Sequence, residues 1–561
     1  MPVRGPQLQP APRLVEPVDS VDRRDDPIVI RSDESTESGP RESRLASLLS
    51  AARGRAVLIA VSIAVVAVSL PLLWNNTAFL DEATYLTTGH VLWHNWLHGG
   101  PNMAYPTYLS GAPVIYPVIV ALADSVGGLA LARALSLLCV LVTLWALDAT
   151  ARRLFNGRVA ALAVLTFATV AGAQFLAAFA TYDAMALMLV ALSVWLSTRY
   201  VDSGRALPHA GYLLGAPVLA LANATKYATA LYDPVAVLVV GLVIAARYGR
   251  REGARCAAIY FAVVAALLSA ALAAGGSSYM AGINTTTLRR PPGTSTVAQV
   301  FDVSWAEVGA IAVIALSAAA YAGWRLWRAR VRTPALVATT LLIVVLALTV
   351  LLAPVEQAHV RTITSLQKHV TFGAWFAAIA AGWVLARLAS GGRGRLIVGL
   401  VLVAAVLTPL AIRGRDQAVG YHRGWPDSAA LTAAIKPYVD ATNAPVMIDD
   451  SNVVQYYLGS SSDPTRWQNT YYFQFRPQPS DRPLVGAPAY ESAIRHGYFG
   501  LVALNYGVEV GTDRIIAGAI AENPRYQYLG TVQIPGGGWF ERYVVWAKRS
   551  VVTAAARDAT R

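Results

Sequence analysis

Long apolar runs recur along most of the chain, and they constrain its fold more than any other feature. Of the 561 residues, 55% are hydrophobic and only 14% are charged, and the charges cluster between the runs. A helix needs roughly 20 apolar residues to cross the hydrocarbon core of a bilayer. The sequence therefore predicts a polytopic α-helical membrane protein.

Eleven apolar runs fit such a span, and the loops between them alternate in arginine content. Because arginine-rich loops stay on the cytoplasmic side, this alternation predicts a cytoplasmic N-terminus and an extracytoplasmic C-terminal region in the plasma (inner) membrane. The predicted spans are 56–74, 128–150, 158–177, 183–200, 209–225, 230–246, 255–274, 306–324, 334–353, 369–387 and 396–412.

The composition divides the chain into three parts. Residues 1–50 are rich in proline and charge and lack an apolar face, which predicts a disordered cytoplasmic tail. Residues 51–413 are predicted to form the transmembrane domain, with juxtamembrane helices on the outer side at 80–125. Residues 414–561 show alternating strand and helix patterns, which predict a small α/β domain on the outer face. The predicted helices there are 428–439 and 512–521, and the predicted strands 444–448, 499–504, 526–534 and 543–548.

The formal net charge of +13 would suggest a nucleic-acid partner in a soluble protein. Here the arginines lie in the loops between spans, where they set the topology, so we expect no nucleic acid. The sequence contains neither a P-loop nor a glycine fingerprint after a strand, and a nucleotide-binding fold is therefore not supported. Both cysteines, Cys139 and Cys256, fall in predicted spans, which argues against a disulfide framework.

Two adjacent carboxylates, Asp81 and Glu82, follow directly after the first predicted span. Charged groups at a membrane face are costly to desolvate, so they are solvated, paired or used in function. One interpretation is structural, with Asp81 as a helix N-cap and Glu82 in the first turn. The other is catalytic, because the long aromatic segment that follows is expected to lie against the bilayer, where a lipid-borne substrate arrives.

Further polar residues are predicted on the same outer side. Asp183 starts an otherwise apolar helix, and it either caps that helix or orients an acceptor. Basic residues are disfavoured on this side, so each one either snorkels to lipid headgroups or belongs to a phosphate-binding site. The outer basic residues are Lys226, Arg289, Arg290, Arg361, Lys368 and His369.

Three histidines, His90, His94 and His98, recur every four residues on one face of a predicted interfacial helix. Such spacing is able to bind a metal ion. A stripe of interfacial histidines is more often structural or pH-sensitive, and we favour that interpretation.

Taken in order, these motifs resemble those of the GT-C glycosyltransferases, in particular the branch of protein O-mannosyltransferases and lipid A aminoarabinose transferases. The resemblance covers residues 56–412 and is carried by Leu80-Asp81-Glu82 after the first span, by Tyr182-Asp183 and by Thr225-Lys226-Tyr227. The juxtamembrane segment has Tyr105-Pro106 where the family usually has His-Pro-Pro or Lys-Pro-Pro.

The resemblance implies an integral membrane glycosyltransferase that moves a sugar from a polyprenyl phosphate donor to an acceptor hydroxyl, with inversion. Asp81 would be the base, Glu82 would assist it or hold a metal, Asp183 would be the second acidic position, and Lys226 would contact the donor phosphate. The implied acceptor is a glycan, a glycolipid or a protein, membrane lipid surrounds the site, and no cofactor is obligatory, with a divalent cation left open. Arg289, Arg290, Arg361, Lys368 and His369 join Lys226 as phosphate-site candidates, and Tyr85, Tyr105 and Tyr182 are acceptor or juxtamembrane candidates.

The alternative is a transporter or flippase of lipid-linked sugars, in which the carboxylates form a substrate or proton path. Transporters place ionisable residues near the middle of the bilayer, on broken helices in symmetric halves. In this sequence the polar residues gather in the outer loops, and no half-to-half symmetry is visible. A membrane anchor that presents the C-terminal domain is a third alternative, for which eleven spans are excessive.

Overall fold

The structure is a computed structural model, and it describes residues 42–560 apart from 102, 202–207, 209, 391–392, 472, 480–481, 508 and 536–541. Of the predicted tail, residues 1–41 lie outside the described residues, whereas the part from Glu42 onward belongs to the first helix. The first 14 helices form a bundle, and the remaining elements form a separate domain with a small sheet.

The helices of the bundle are α1 (Glu42–Ser69), α2 (Leu80–His98), α3 (Tyr116–Leu154), α4 (Gly157–Ala168), α5 (Ala171–Ala178), α6 (Tyr182–Arg199), α7 (Gly215–Thr225), α8 (Asp233–Tyr248), α9 (Arg250–Ile283), α10 (Val297–Arg328), α11 (Pro334–Leu348), α12 (Leu352–His359), α13 (Leu366–Leu388) and α14 (Arg393–Gly424). Within the described residues, eight helices are long and apolar enough to cross a membrane, and a ninth span results if α4 and α5 are counted together. The predicted polytopic helical fold is confirmed.

The bundle differs from the predicted spans at its breaks. The predicted span 158–177 is the pair α4 and α5, which meet at an angle of 72°. The predicted span 209–225 is mostly the short helix α7. The predicted last span, 396–412, is part of α14, which continues to Gly424 and leads directly into the C-terminal domain.

Two long helices bend at glycines with positive φ. In α3, Gly128 has a φ of 63°, and it separates the predicted juxtamembrane piece from the predicted span 128–150. In α9, Gly276 has a φ of 74°, just beyond the predicted span 255–274. Residues with a Cβ rarely adopt this conformation, so glycine allows both helices to change direction there.

The C-terminal domain is a five-stranded mixed sheet with helices, as the strand and helix patterns predict. The strand order is β2-β1-β5-β7-β6, in which β2, β1 and β5 are parallel and β5, β7 and β6 are antiparallel. Its elements are α15 (Ala429–Asp440), β1 (Val446–Ile448), α16 (Ser451–Leu458), β2 (Trp467–Gln468), β3 (Gln474–Phe475), β4 (Leu484–Val485), α17 (Ala487–His496), β5 (Leu501–Leu504), α18 (Val510–Ala521), β6 (Tyr526–Gln533), β7 (Arg542–Lys548) and α19 (Arg549–Asp558), with β3 and β4 forming a separate hairpin.

The C-terminal domain contacts one end of the bundle, here called the domain side. Trp425 donates from its indole to the carbonyl of Ala78 at 2.8 Å, and the amide of Ala78 donates to the hydroxyl of Tyr457 at 2.8 Å. Further along α2, Asn452 donates to the hydroxyl of Thr84 at 2.8 Å. Helix α2 is therefore held between the bundle and the C-terminal domain.

Candidate active site

The predicted carboxylates lie in the first turn of α2, at the domain side. The helix begins at Leu80, and Phe79 occupies the N-cap position without a side-chain hydrogen bond. Asp81 is therefore not the N-cap that the structural interpretation predicts. Glu82 instead accepts from the backbone amide of Phe79 at 2.8 Å, and this bond satisfies one of the amides that a helix start leaves unpaired.

Glu82 is fully buried against Arg133, a residue in the middle of the apolar helix α3. The guanidinium donates to both carboxylate oxygens, at 2.9 and 2.8 Å. It also donates to the carbonyls of Asn75 at 2.8 Å and Thr77 at 3.2 Å. We call Glu82 and Arg133 with these carbonyls the Arg133 clamp. It fixes the segment that joins α1 to α2.

Asp81 points to a second group of charges, formed by Asp81, Asp183, Lys226 and Lys368 and here called the lysine cluster. Lys368 donates to Asp81 at 2.5 Å and lies 3.9 Å from Asp183, which also forms an ion pair with Lys226. Asp183 and both lysines are almost completely buried, whereas the side chain of Asp81 is 30% exposed. The cluster is thus open to the surroundings only at Asp81.

Asp183 lies in the first turn of α6, where its carboxylate faces Lys226 and makes no N-cap hydrogen bond. Thr181 holds the N-cap position of this helix. The side chain of Asp183 is therefore engaged in the lysine cluster and does not cap α6, contrary to what a purely structural interpretation predicts.

Close backbone pairing places Lys226 at the end of α7. The amide of Ala112 donates to Ala224 at 2.7 Å, and the amide of Tyr227 donates to Ser110 at 2.9 Å. A Cβ on Gly111 would lie 2.0 Å from the carbonyl oxygen of Thr225. Only glycine allows the two backbone segments to approach this closely, so Gly111 determines the position of Lys226.

Lys368 and His369 lie in the first turn of α13, whose N-cap, Ser365, has a left-handed φ of 61°. The imidazole of His369 lies 2.5 Å from the side-chain amide of Gln357. The backbone carbonyl of His369 accepts from the hydroxyl of Tyr232 at 3.0 Å. His369 is therefore beside the lysine cluster but bonded to its own neighbours.

The predicted arginines lie in two loops that pair with each other. The amides of Gly293 and Ser295 donate to the carbonyls of Val360 and Arg361, at 2.9 and 3.0 Å. This pairing brings the loop of Arg289 and Arg290 next to the loop of Arg361. Arg289 and Arg361 are exposed, and Arg290 is half-buried and lies within electrostatic range of His369. The structure thus brings the arginine loops to the domain side, outside the lysine cluster.

The three predicted tyrosines belong to one buried apolar cluster, and Tyr85 and Tyr182 lie beside the lysine cluster. The rings of Tyr85 and Tyr182 lie 4.3 Å apart, and the ammonium of Lys226 lies 4.8 Å from the centre of the Tyr182 ring. Tyr105 is buried in the same apolar cluster. Burial raises the pKa of the Tyr85 hydroxyl, and the nearby charge of Asp81 raises it further, so this hydroxyl remains protonated.

Comparisons with known proteins agree with this arrangement of helices. Residues 112–280 match the family model of dolichyl-phosphate-mannose-protein mannosyltransferases. A search of curated proteins finds no match. Among solved structures, ArnT from Cupriavidus metallidurans bound to undecaprenyl phosphate is 14% identical with a TM-score of 0.55, over 88% of this chain and 98% of that chain. The oligosaccharyltransferase of Archaeoglobus fulgidus, in complex with Zn and sulfate, is 15% identical with a TM-score of 0.54, over 86% of this chain and 73% of that chain.

The protein has the GT-C fold. At identities this low the two neighbours establish the fold alone, and the family model covers less than a third of the chain. The expected resemblance to GT-C membrane glycosyltransferases is confirmed at this level.

On this GT-C fold, the adjacent carboxylates do not fit a shared metal ion. Oε1 of Glu82 accepts from Arg133 and from the amide of Ala180, and Oε2 accepts from Arg133 and from the amide of Phe79. Four donors occupy the carboxylate, which leaves none of its oxygens for a cation. The described residues contain no group of three or more histidine, cysteine, aspartate or glutamate side chains arranged to hold a metal. Of the histidine stripe, His90 is bonded to Asp124 at 2.6 Å.

Sequence reasoning missed Arg133, although the sequence carries a signal for it. An arginine inside an apolar span faces the protein interior and needs a partner, and Glu82 is the buried acid that meets it. It also missed Asn452, Tyr456 and Tyr457 of the C-terminal domain, which bond to α2, to α3 and to Ala78 just before α2. Nothing in the local sequence marks these three residues, because their role depends on how the domain sits on the bundle.

Proposed function

We propose that the protein is a membrane glycosyltransferase that moves a sugar from a polyprenyl phosphate donor to an acceptor hydroxyl, with inversion at the anomeric carbon. The observation that carries the proposal is the lysine cluster, in which two buried lysines converge on Asp183 and on the partly exposed Asp81. The GT-C fold and the undecaprenyl phosphate bound by ArnT support a donor of this class.

Asp81 is the proposed base. Its exposed edge meets an acceptor hydroxyl, while Lys368 donates to one of its carboxylate oxygens and holds it in place. In the reaction the bond between the anomeric carbon and the donor phosphate breaks, and its electron pair goes to the phosphate oxygen. The acceptor oxygen bonds to the anomeric carbon from the opposite face, and its proton passes to Asp81. General-base catalysis of this kind contributes about 10²–10⁴-fold to the rate.

The buried cations are the proposed site for the donor phosphate. Lys226 and Lys368 are each paired with an aspartate. When the donor phosphate binds, it takes the place of an aspartate as the negatively charged partner of these lysines. Preorganised positive charge stabilises the charge that develops on the leaving phosphate. Arg289, Arg290 and Arg361, in their paired loops, are proposed to draw the phosphate toward these lysines. His369 supports the start of α13 and is not assigned a step.

Glu82 is proposed to position Asp81 rather than to react. Its oxygens are occupied by Arg133 and by two backbone amides, and it is completely shielded from solvent. The Arg133 clamp therefore holds the first turn of α2 at the angle that directs Asp81 to Lys368.

The test uses purified protein in nanodiscs with a set of synthetic polyprenyl phosphate sugars and follows the release of polyprenyl phosphate. We expect turnover in the wild type and a loss of about 10²–10⁴-fold in Asp81→Asn. Asp416→Asn is the matched control, because Asp416 is an exposed aspartate on α14 that pairs with the equally exposed Arg415. It is expected to turn over at the wild-type rate.

Two outcomes contradict the proposal. Equal turnover in Asp81→Asn and wild type removes Asp81 as the base. Transfer of labelled lipid across the bilayer without consumption of any donor replaces the transferase with the flippase, and Asp81 then belongs to the transport path.

A further inference from the structure

The lysine cluster has a balanced set of charges, and only one of them is open to the surroundings. Each lysine is paired with one aspartate, Lys226 with Asp183 and Lys368 with Asp81. The side chains of both lysines are only 4% exposed, whereas that of Asp81 is 30% exposed. A phosphate that approaches Lys368 from outside the cluster therefore meets the carboxylate of Asp81, which already accepts a hydrogen bond from this ammonium.

The two aspartates differ in the cost of separating them from a lysine. Asp183 is fully buried, pairs with Lys226 and lies 3.9 Å from Lys368. Breaking a buried pair leaves an uncompensated charge that water does not reach, which is strongly unfavourable. Asp81 has an exposed edge, so water is able to solvate its carboxylate when Lys368 is withdrawn. Asp81 is therefore the aspartate that a phosphate displaces most easily.

We infer that Asp81 and the donor phosphate compete for Lys368, so that a bound donor releases the base from an inhibitory ion pair. This inference rests on the proposed function, because it names the aspartate that the phosphate displaces. In the free protein, Lys368 donates to one oxygen of Asp81 at 2.5 Å. Once the ammonium binds the phosphate instead, that oxygen is available to accept the proton of the acceptor hydroxyl.

The exchange sets an order of binding. One anion replaces another on Lys368, and the buried pair of Asp183 and Lys226 keeps the rest of the cluster in place. An acceptor hydroxyl that arrives before the donor meets a carboxylate that Lys368 still holds. The productive order is therefore donor first and acceptor second. The donor is then both the source of the sugar and the ligand that frees the base.

The experiment measures binding of a synthetic polyprenyl phosphate to the full-length protein in phosphatidylcholine nanodiscs, by microscale thermophoresis. Asp81→Asn removes the competing charge, so we expect this variant to bind the lipid about fivefold more tightly than the wild type does. Asp440→Asn is the matched control, because Asp440 forms an exposed ion pair with Lys436 on α15, and it should bind as the wild type does. The polyprenol that lacks the phosphate should show no difference among the three proteins.

A double-mutant cycle tests whether the competition acts through Lys368. Lys368→Gln removes the ammonium, and Asp183 keeps Lys226 in this variant. In the Lys368→Gln background, the further substitution Asp81→Asn should leave the affinity for polyprenyl phosphate unchanged. The same tightening in both backgrounds would mean that Asp81 repels the phosphate without sharing Lys368 with it, and this would overturn the inference.

The outcomes separate this inference from the proposed function. Tighter binding by Asp81→Asn that is lost in the Lys368→Gln background supports the competition. If the wild type then consumes no donor, the transferase alone is overturned. Donor consumption by the wild type, with equal or weaker binding of polyprenyl phosphate in Asp81→Asn, overturns the competition and leaves the transferase. An absence of binding in every protein overturns both.

Discussion

The two neighbouring carboxylates of α2 belong to two different charge networks. Glu82 is in the Arg133 clamp, where every carboxylate oxygen has donors and nothing is exposed. Asp81 is in the lysine cluster, where the charges are paired but Asp81 remains 30% exposed. A closed network stabilises one conformation. A network with one exposed carboxylate offers a place where a substrate is able to bind. This difference in exposure distinguishes Glu82, the structural carboxylate, from Asp81, the candidate base.

A third group of buried carboxylates, in the C-terminal domain, has no lysine or arginine partner among the described ion pairs. Asp449 accepts from Thr470 at 2.5 Å and from the amide of Asn505 at 2.7 Å. Burial raises the pKa of Asp513 to about 7, and the charge of the neighbouring Asp449 adds to this rise. Burial likewise raises the pKa of Asp449. Lysine and arginine side chains pair with Asp81, Glu82 and Asp183 in the bundle, whereas burial and the mutual repulsion of Asp449 and Asp513 favour a proton on this pair.

The largest effect on stability is expected for Arg133→Met. The substitution leaves Glu82 buried without its cation, which typically costs about 3–5 kcal/mol. We expect the variant to lose its monodisperse peak in size-exclusion chromatography after mild heating. The double variant Glu82→Gln/Arg133→Met removes both charges and should recover much of the stability. A single variant as stable as the wild type would show that the clamp is not structural.

A smaller effect is expected for Lys226→Met, since Asp183 keeps Lys368 at 3.9 Å. Removing one partner of a buried charge pair typically costs about 2–5 kcal/mol, and the second lysine places this variant at the lower end. The unfolding temperature in nanodiscs, followed by tryptophan fluorescence, provides the measurement. Asp183→Asn/Lys226→Met is the control and should be more stable than the single variant. The same loss in both would mean that the two residues do not interact.

The pair of Asp449 and Asp513 predicts a pH dependence of the stability of the C-terminal domain. Because the folded-state pKa of Asp513 is raised above its unfolded value of about 3.9, the folded state binds more protons between these values. The stability of the domain should therefore fall as the pH rises from about 4 through 7, by about 1–2 kcal/mol after allowance for solvent screening. Hydrogen exchange of the full-length protein measures this, and Asp513→Asn should flatten the pH profile. An unchanged profile in Asp513→Asn contradicts the assignment.

The smallest effect on stability is expected for Asp81→Asn. Asp81 is partly exposed, the amide oxygen in the variant still accepts from Lys368, and Asp183 remains 3.9 Å from that buried lysine, so the loss should be about 1 kcal/mol. Its unfolding temperature should therefore lie close to that of the wild type, in contrast to Arg133→Met. A loss as large as that of Arg133→Met would make Asp81 a structural residue and would remove the distinction between the two networks.

Local sequence patterns predicted much of the fold and the outline of the site. Apolar runs predicted the helices, because a membrane span needs both length and low charge. Strand and helix patterns predicted the C-terminal sheet, including β5 and the antiparallel strands β6 and β7. The alternation of arginine-rich and arginine-poor loops predicted that Asp81, Asp183, Lys226 and Lys368 lie on the same side of the membrane domain. The structure brings these four residues into contact.

The sequence by itself determined which residues are unusual for a membrane domain, since each charge near a span stands out from its apolar surroundings. Only the tertiary structure decided which charges meet. Arg133 and Glu82 are far apart along the chain, and their pairing depends on how α2 packs against α3. The polar cleft lined by Thr87, Asp124 and Gln455 likewise exists only because α16 packs on α2. Local patterns report burial and helix formation, whereas the choice between a closed clamp and an open site depends on three-dimensional contacts that no single segment encodes.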